Sequence, residues 1–158
     1  MEAEEKTMNR NYNNQQTTCE INGKMYHFRS LLEKRYAFYL ETLRKCGHID
    51  RWLYEDKSEC KFIFHGVTTS PVNYLSDFAI FYKAEHGVQR KELHETKGWL
   101  EGRDVSKFRR MASHYPEENI VLVMMQSDSK RHNRYRTALK YIERIHYVKG
   151  DFRKLGIN

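Results

Sequence analysis

Asp104-Val105-Ser106-Lys107-Phe108-Arg109-Arg110-Met111-Ala112-Ser113-His114-Tyr115, closed by Pro116 and followed by Ile120-Val121-Leu122-Val123-Met124-Met125, carries the most information about architecture in this chain. In the first segment Val105, Phe108, Met111, Ala112 and Tyr115 fall on one helical face, and Asp104 stands where an N-cap belongs. The second is a continuous apolar run of strand length, the pattern of a strand buried on both faces. Residues 91–97 upstream read as another strand, so the order strand, helix, strand implies a parallel pair.

Further upstream, residues 73–82 alternate as a strand, with Gly87 marking a turn before 91–97, and residues 52–64 hold two short β-like runs. Together these imply an antiparallel meander. From 30 to 45, Leu32, Tyr36, Tyr39, Leu40 and Leu43 recur at helical spacing, and Gly47 follows where a left-handed cap would end a helix. Asn22-Gly23, between β-prone flanks over 21–28, suggests a small hairpin. Residues 1–18 are polar and aperiodic and read as a disordered tail.

Downstream, residues 134–146 place Tyr135, Ala138, Leu139, Ile142 and Ile145 at helical spacing, with Arg136, Lys140 and Arg144 on another face. That is the pattern of a basic amphipathic helix. The expected organisation is a tail over 1–18, a core over 19–128 and a basic helical extension of the same domain over 129–158. The fold class is α/β, a mixed central β-sheet flanked by helices.

The 28 Lys and Arg against 21 Asp and Glu leave a net charge of +7, which favours a polyanionic partner such as nucleic acid or an anionic membrane. From 126 to 158 there are nine basic residues against three acidic, so most of the excess lies there. A solvated basic helix without a ligand explains the same charge. Aromatic residues make up 13% of the chain, enough for a core despite 31% charged residues. Cys19, Cys46 and Cys60 are odd in number and widely spaced, against both a disulfide framework and a structural zinc site. The acidic, Asn/Gln-rich start and the lack of any apolar stretch near the roughly 20 residues that span a bilayer point to a cytoplasmic protein.

In His94-Glu95-Thr96-Lys97-Gly98, Glu95 and Lys97 are two apart and project from one face of a strand. Phosphodiester hydrolysis needs a hard cation, Mg2+ or Mn2+, and carboxylates with a backbone carbonyl are its preferred ligands. Glu95 and the Thr96 carbonyl could supply two, and Lys97 could hold or deprotonate the attacking water, or offset charge growing on phosphorus. Asp77, a lone carboxylate in the apolar stretch 74–80, requires a partner or a metal, and hairpin pairing of 73–82 with 91–97 would bring it to Glu95. Taken alone, a strand Glu-x-Lys is commonly a surface charge pair, and Asp77 could stand at a strand end. Ser30-x-x-Glu33 fits a capping box, yet Glu33 also lies at the edge of the helix's apolar stripe, leaving cap and metal ligand equal. Trp99 reads as core or as a residue packing beside a distorted duplex.

The segments Phe28-Arg29-Ser30-Leu31-Leu32-Glu33, Ser76-Asp77-Phe78 and Glu95-Thr96-Lys97-Gly98-Trp99, in this order, resemble the restriction-endonuclease-like PD-(D/E)XK nuclease superfamily. Within it they look closest to the phage endonuclease I group of Holliday-junction resolvases, over roughly residues 26–126. The resemblance implies a restriction-endonuclease-like core and a metal-dependent DNA endonuclease. It implies Glu33, Asp77, Glu95 and Lys97 as catalytic residues, with Asp77, Glu95, Thr96 and Glu33 toward the metal. It further implies branched or junction-containing DNA as substrate, a homodimer, and a phage or bacterial source acting in the host cytoplasm. Two departures stand out: Ser76 replaces the family's usual Pro, and the interval 78–94 between Asp77 and Glu95 is long. Candidate phosphate contacts are Arg29, Arg103, Lys107 and Arg110, with Lys130, Arg131, Arg134, Arg136 and Lys140. A restriction, repair or transposon-type nicking nuclease on the same scaffold, or a non-catalytic basic DNA-binding module, are the other readings of these residues.

Overall fold

A computed structural model describes residues 15–126 and 132–158. Strands β1 (Thr17–Ile21) and β2 (Lys24–Phe28) pair antiparallel with Ile21 opposite Lys24. Their two-residue turn places both Asn22 (φ +50°) and Gly23 (φ +78°) in the left-handed region, the conformation that an Asn-Gly hairpin turn supplies. The hairpin therefore forms where expected, but β1 already begins at Thr17, so the tail ends before residue 18. Its first fourteen residues lie outside the described ones.

Helix α1 (Leu31–Lys45) starts at Ser30, whose Oγ accepts from the Glu33 amide at 3.1 Å, and ends at Gly47 with φ +80°. Strands β3 (Arg51–Tyr54) and β4 (Lys61–Ile63) follow. The strand expected over 73–82 is two strands, β5 (Asn73–Leu75) and β6 (Phe78–Phe81). β5 pairs with β4 in a small separate sheet, while β6 pairs with β3, so the chain must change sheets at Ser76-Asp77. That break is anchored by the Ser76 amide donating to Cys60 O and the Glu55 amide donating to Asp77 O.

Strand β7 (Lys91–Thr96) pairs antiparallel with β6, and after α2 (Gly102–His114) the strand β8 (Ile120–Met124) returns parallel to it. The crossover read from the sequence is present, with one change at its start. The N-cap is Glu101, and Asp104 is the third helical residue, its carboxylate accepting from the Glu101 amide to complete a capping box.

The basic helix expected over 134–146 is not formed. A short α3 (His132–Ala138) gives way to β9 (Arg144–Tyr147), parallel to β8, and the chain ends in α4 (Lys149–Lys154). The helical spacing of 135–145 was satisfied only in part: Ala138 and Ile142 are buried, but Leu139 is exposed. What prevails is the unpaired outer edge of β8, which Arg144–Tyr147 covers. The expected C-terminal helical extension is thus part of the main sheet.

Among the described residues the result is a mixed five-stranded sheet in the order β3-β6-β7-β8-β9 with four helices. One core lies between the sheet and α1, filled by Phe78, Ile80, Val121 and Val123 from the strands and Tyr36, Ala37 and Leu40 from the helix. A second core lies on the other face, where Leu93, Leu122 and Met124 meet Phe108 and Met111 of α2. All five residues of β8 are buried, as a strand covered on both faces requires. Among the described residues no helix is long and apolar enough to cross a membrane.

Candidate active site

Asp77 stands at the break between β5 and β6, and Glu95 near the end of β7, the neighbour of β6. Both are nearly closed to solvent, at 3% and 5% exposure, and they line one cleft of about 840 Å³ together with Glu33, Thr96, Lys97 and Asp104. The antiparallel pairing of β6 with β7 thus delivers the convergence expected from hairpin neighbours.

Each carboxylate is held by its own partners. Asp77 Oδ2 accepts from the Thr96 amide and the Thr96 hydroxyl, both at 2.8 Å, and Oδ1 accepts from Arg29 Nη2 at 3.2 Å. Glu95 Oε2 accepts from the Tyr74 hydroxyl at 3.1 Å, and Oε1 lies 3.6 Å from Lys97 Nζ. Lys97 reaches further, to Asp104 Oδ1 at 3.1 Å, so one ammonium lies between two carboxylates. Glu33 Oε2 accepts from the Arg29 amide at 3.0 Å and from the Tyr54 hydroxyl at 2.6 Å. Cap and cleft residue are therefore not exclusive for Glu33. It binds back to the chain before α1, at Arg29 rather than at Ser30, while lining the same cleft as Asp77.

The electrostatics are strained. Burial, then the neighbouring charges of Glu95 and Glu33, hold the Asp77 carboxyl well above the ordinary carboxylate range, despite the two bonds from Thr96. Burial also raises Glu95, with Lys97 and Lys107 opposing it. For Lys97 burial disfavours the charge, but Glu95 and Asp104 outweigh it and hold the ammonium above its usual value. Lys97 is therefore favoured as a positive charge held between Glu95 and Asp104.

Two buried carboxylates with incomplete countercharge, beside a main-chain segment of β7, form an all-oxygen donor set that suits a hard divalent cation. Among the described residues, no three His, Cys, Asp or Glu side chains converge closely enough to enclose an ion unaided. Donors beyond Asp77 and Glu95 would have to come from the Thr96 carbonyl, from water and from substrate oxygens.

The candidate phosphate contacts divide. Arg103 and Lys107 line the carboxylate cleft, and Arg35 joins them there. Arg29 also lines it, but its guanidinium pairs with Asp77 and Glu55, an assignment to the site's own charge balance rather than to its rim. Arg110 donates to Thr69 O at 2.7 Å and to Pro71 O, fastening the 69–71 loop, and does not line the cleft. Arg134 donates to Leu100 O, while Arg136 and Lys140 are exposed on and just after α3. Lys130 and Arg131 lie outside the described residues. Sequence reasoning missed Asp104 as a partner of Lys97, and also Tyr54 and Tyr74. A capping-box Asp and two strand tyrosines carry no local mark of such roles.

On the opposite face of β7 a second polar cluster fixes the strand. Glu92, 2% exposed, accepts from His94 Nε2 at 2.8 Å, Tyr82 hydroxyl at 2.7 Å, Arg90 Nη2 at 2.7 Å and Arg144 Nη1 at 2.8 Å. His94 Nδ1 meets the Tyr36 hydroxyl of α1 at 2.5 Å. Helix α1, β7 and β9 are thereby locked together behind Glu95. No family model, curated protein or solved structure matches the chain.

Proposed function

We propose that this protein is a metal-dependent DNA endonuclease with a restriction-endonuclease-like core, acting on branched DNA. The observation that carries the reading is the pair Asp77 and Glu95: two buried carboxylates on neighbouring chain segments, raised by burial, beside a charged lysine in a cleft with a basic rim. Buried acids whose charge is only partly balanced are expensive, and groups perturbed in this way cluster at functional sites. The mixed sheet flanked by helices agrees with the fold that the three-segment resemblance implies.

Mg2+ or Mn2+ held by Asp77 and Glu95, with the Thr96 carbonyl and water as further donors and Glu33 adding negative charge from the same cleft, would neutralise phosphate oxygens and acidify a water. The chain's own residues account for the rest. Lys97, charged and restrained by Glu95 and Asp104, orients water and offsets negative charge as the new P–O bond forms and the old one breaks. Thr96 aims the Asp77 carboxylate through two hydrogen bonds. Arg103 and Lys107 on the rim contact flanking phosphates, and Lys107 also lowers the charge burden on Glu95. A homodimer would supply the two sites that symmetric cutting of a junction needs.

The test is incubation of the wild type, Glu95→Ala and Glu95→Gln with four-way junction, flap, linear duplex and single-stranded DNA, each with Mg2+, Mn2+ or EDTA. Metal-dependent cleavage by the wild type alone is expected, strongest on the junction. Cleavage in EDTA, or full activity of both variants, would sink the mechanism. Strong preference for linear duplex would instead favour a restriction, repair or transposon-type nicking nuclease. The internal partners of every site carboxylate favour a second reading, a basic DNA-binding module with a structural acidic cluster. Binding without cleavage, unchanged by Asp77→Ala and Lys97→Ala, would establish it.

A further inference from the structure

Trp99 belongs to two clefts. One is the carboxylate cleft; the other, of about 790 Å³, opens between α2 and α3 and is lined by Trp99, Val105 and Arg109 on one side and Arg134 and Tyr135 on the other. Trp99 is 45% exposed, unlike Trp52 at 7%, so part of its indole is open to solvent where it borders this cleft. The lining of the second cleft includes two arginines and no carboxylate, and apart from Leu100 its remaining members are small or neutral polar residues. Arg134 is steadied by its bond to Leu100 O at 2.8 Å, and Arg109 is exposed on α2 one turn after Val105.

An aromatic side chain sharing a cleft with two guanidinium groups suits a ligand that offers both an exposed π-surface and negative charge. Paired bases in duplex DNA hide their faces in the stack, whereas a single strand presents them together with its phosphates. We propose that this cleft binds single-stranded DNA, with one base stacked on Trp99 and adjoining phosphates against Arg109 and Arg134. Because Trp99 follows Lys97 by two residues and borders both clefts, the strand bound here continues from the bond held at Asp77 and Glu95. That placement rests on the nuclease reading; the binding does not. It gives the site a preference for substrates with an unpaired strand next to the scissile phosphate.

The experiment is titration of the full chain in EDTA with an oligothymidylate of about twelve nucleotides, a length within the range covered by single-strand sites. Tryptophan fluorescence and the anisotropy of a labelled oligonucleotide are followed together. Quenching is expected, and it reports on Trp99 because Trp52 is buried in the α1 core. Trp99→Ala should weaken binding about tenfold, equivalent to about 1.4 kcal/mol, and Trp99→Phe by less. Arg109→Ala should weaken it and reduce the slope of log affinity against log salt by about 0.7.

No quenching, equal affinity of Trp99→Ala, or the same quenching by a blunt duplex of that length would overturn the proposal. Equal quenching by polyglutamate would do so as well, leaving only a site for anions. Cleavage without oligonucleotide binding at Trp99 removes this cleft and keeps the nuclease. Binding without cleavage of any substrate removes the nuclease and keeps the cleft.

Discussion

An Asp77→Asn variant should be more stable than the wild type in EDTA, by a margin that grows with pH. Asp77 is 3% exposed and shares its surroundings with Glu95 and Glu33. Neighbouring ionised carboxylates, at an effective dielectric constant of about 20, repel by about 3 kcal/mol. Against this, Asn keeps an acceptor for Thr96 but no charge, a loss of about 0.5 kcal/mol for each of the two bonds. The ion pair with Arg29, whose side chain is 54% exposed, is worth about 1 kcal/mol after screening. The balance favours Asn by about 1 kcal/mol, or about 2–4 °C in Tm for a chain of this length. The sign of the pH dependence follows from the raised carboxyl. Asp77 binds its proton more tightly folded than unfolded, so its contribution is fully present below the unfolded value and is lost as pH rises through the folded one. Thermal unfolding followed by circular dichroism from about pH 5 to about pH 9 should therefore show the gap widening. With Mn2+ at about a hundredfold its dissociation constant the order should reverse, because about 2.7 kcal/mol is added to the wild type alone. A variant less stable than the wild type at every pH in EDTA would refute the view that the Asp77 carboxylate is strained, and failure of Mn2+ to reverse the order would remove the cation.

Lys97→Ala should lower cleavage by about 10²–10³ while leaving junction affinity within about threefold, read by single-turnover cleavage and gel shift, because the ammonium acts on charge that grows only during the reaction. Ser30→Ala should destabilise the fold by about 1 kcal/mol in urea titration, since the Glu33 amide loses its acceptor at the start of α1. For Glu92 burial raises the carboxyl, but bonds from His94, Arg144 and Tyr82 more than reverse this and hold it below its ordinary value of 4.5. Its contribution is then present above about pH 4.5 and lost below it, so the urea midpoint of Glu92→Gln should fall less than that of the wild type between about pH 6 and about pH 3. Parallel acid limbs would count against that network.

The parallel crossover, α1 with its serine cap and the Asn-Gly hairpin were legible because each depends on residues close in sequence. Hydrophobic period, cap chemistry and left-handed turn residues report local structure directly. The convergence of Asp77 with Glu95 could be inferred because neighbouring antiparallel strands bring distant residues together in a fixed register. Three features were not legible. The strand over 73–82 divides because β4 competes for its first half, a choice decided by pairing and not by propensity. Residues 144–147 become β9 because β8 has a free edge, although their spacing fits a helix equally well. Asp104 reads as a cap from its neighbours, and only the packing of α2 beside β7 shows its other oxygen facing Lys97.

The last strand also bears on the order in which the protein is made. Every side chain assigned to the carboxylate cleft precedes residue 126, so a chain emerging from the ribosome carries the whole site before β9 exists. At that stage β8 has an open backbone edge and five apolar side chains that the finished fold buries. Such an edge invites pairing with another nascent chain. Addition of residues 144–147 is therefore the step that protects the newborn protein from its own kind, and a chain truncated after β8 should precipitate rather than yield a smaller folded protein. The basic C-terminus that first suggests a ligand-binding arm thus also guards the solubility of the molecule.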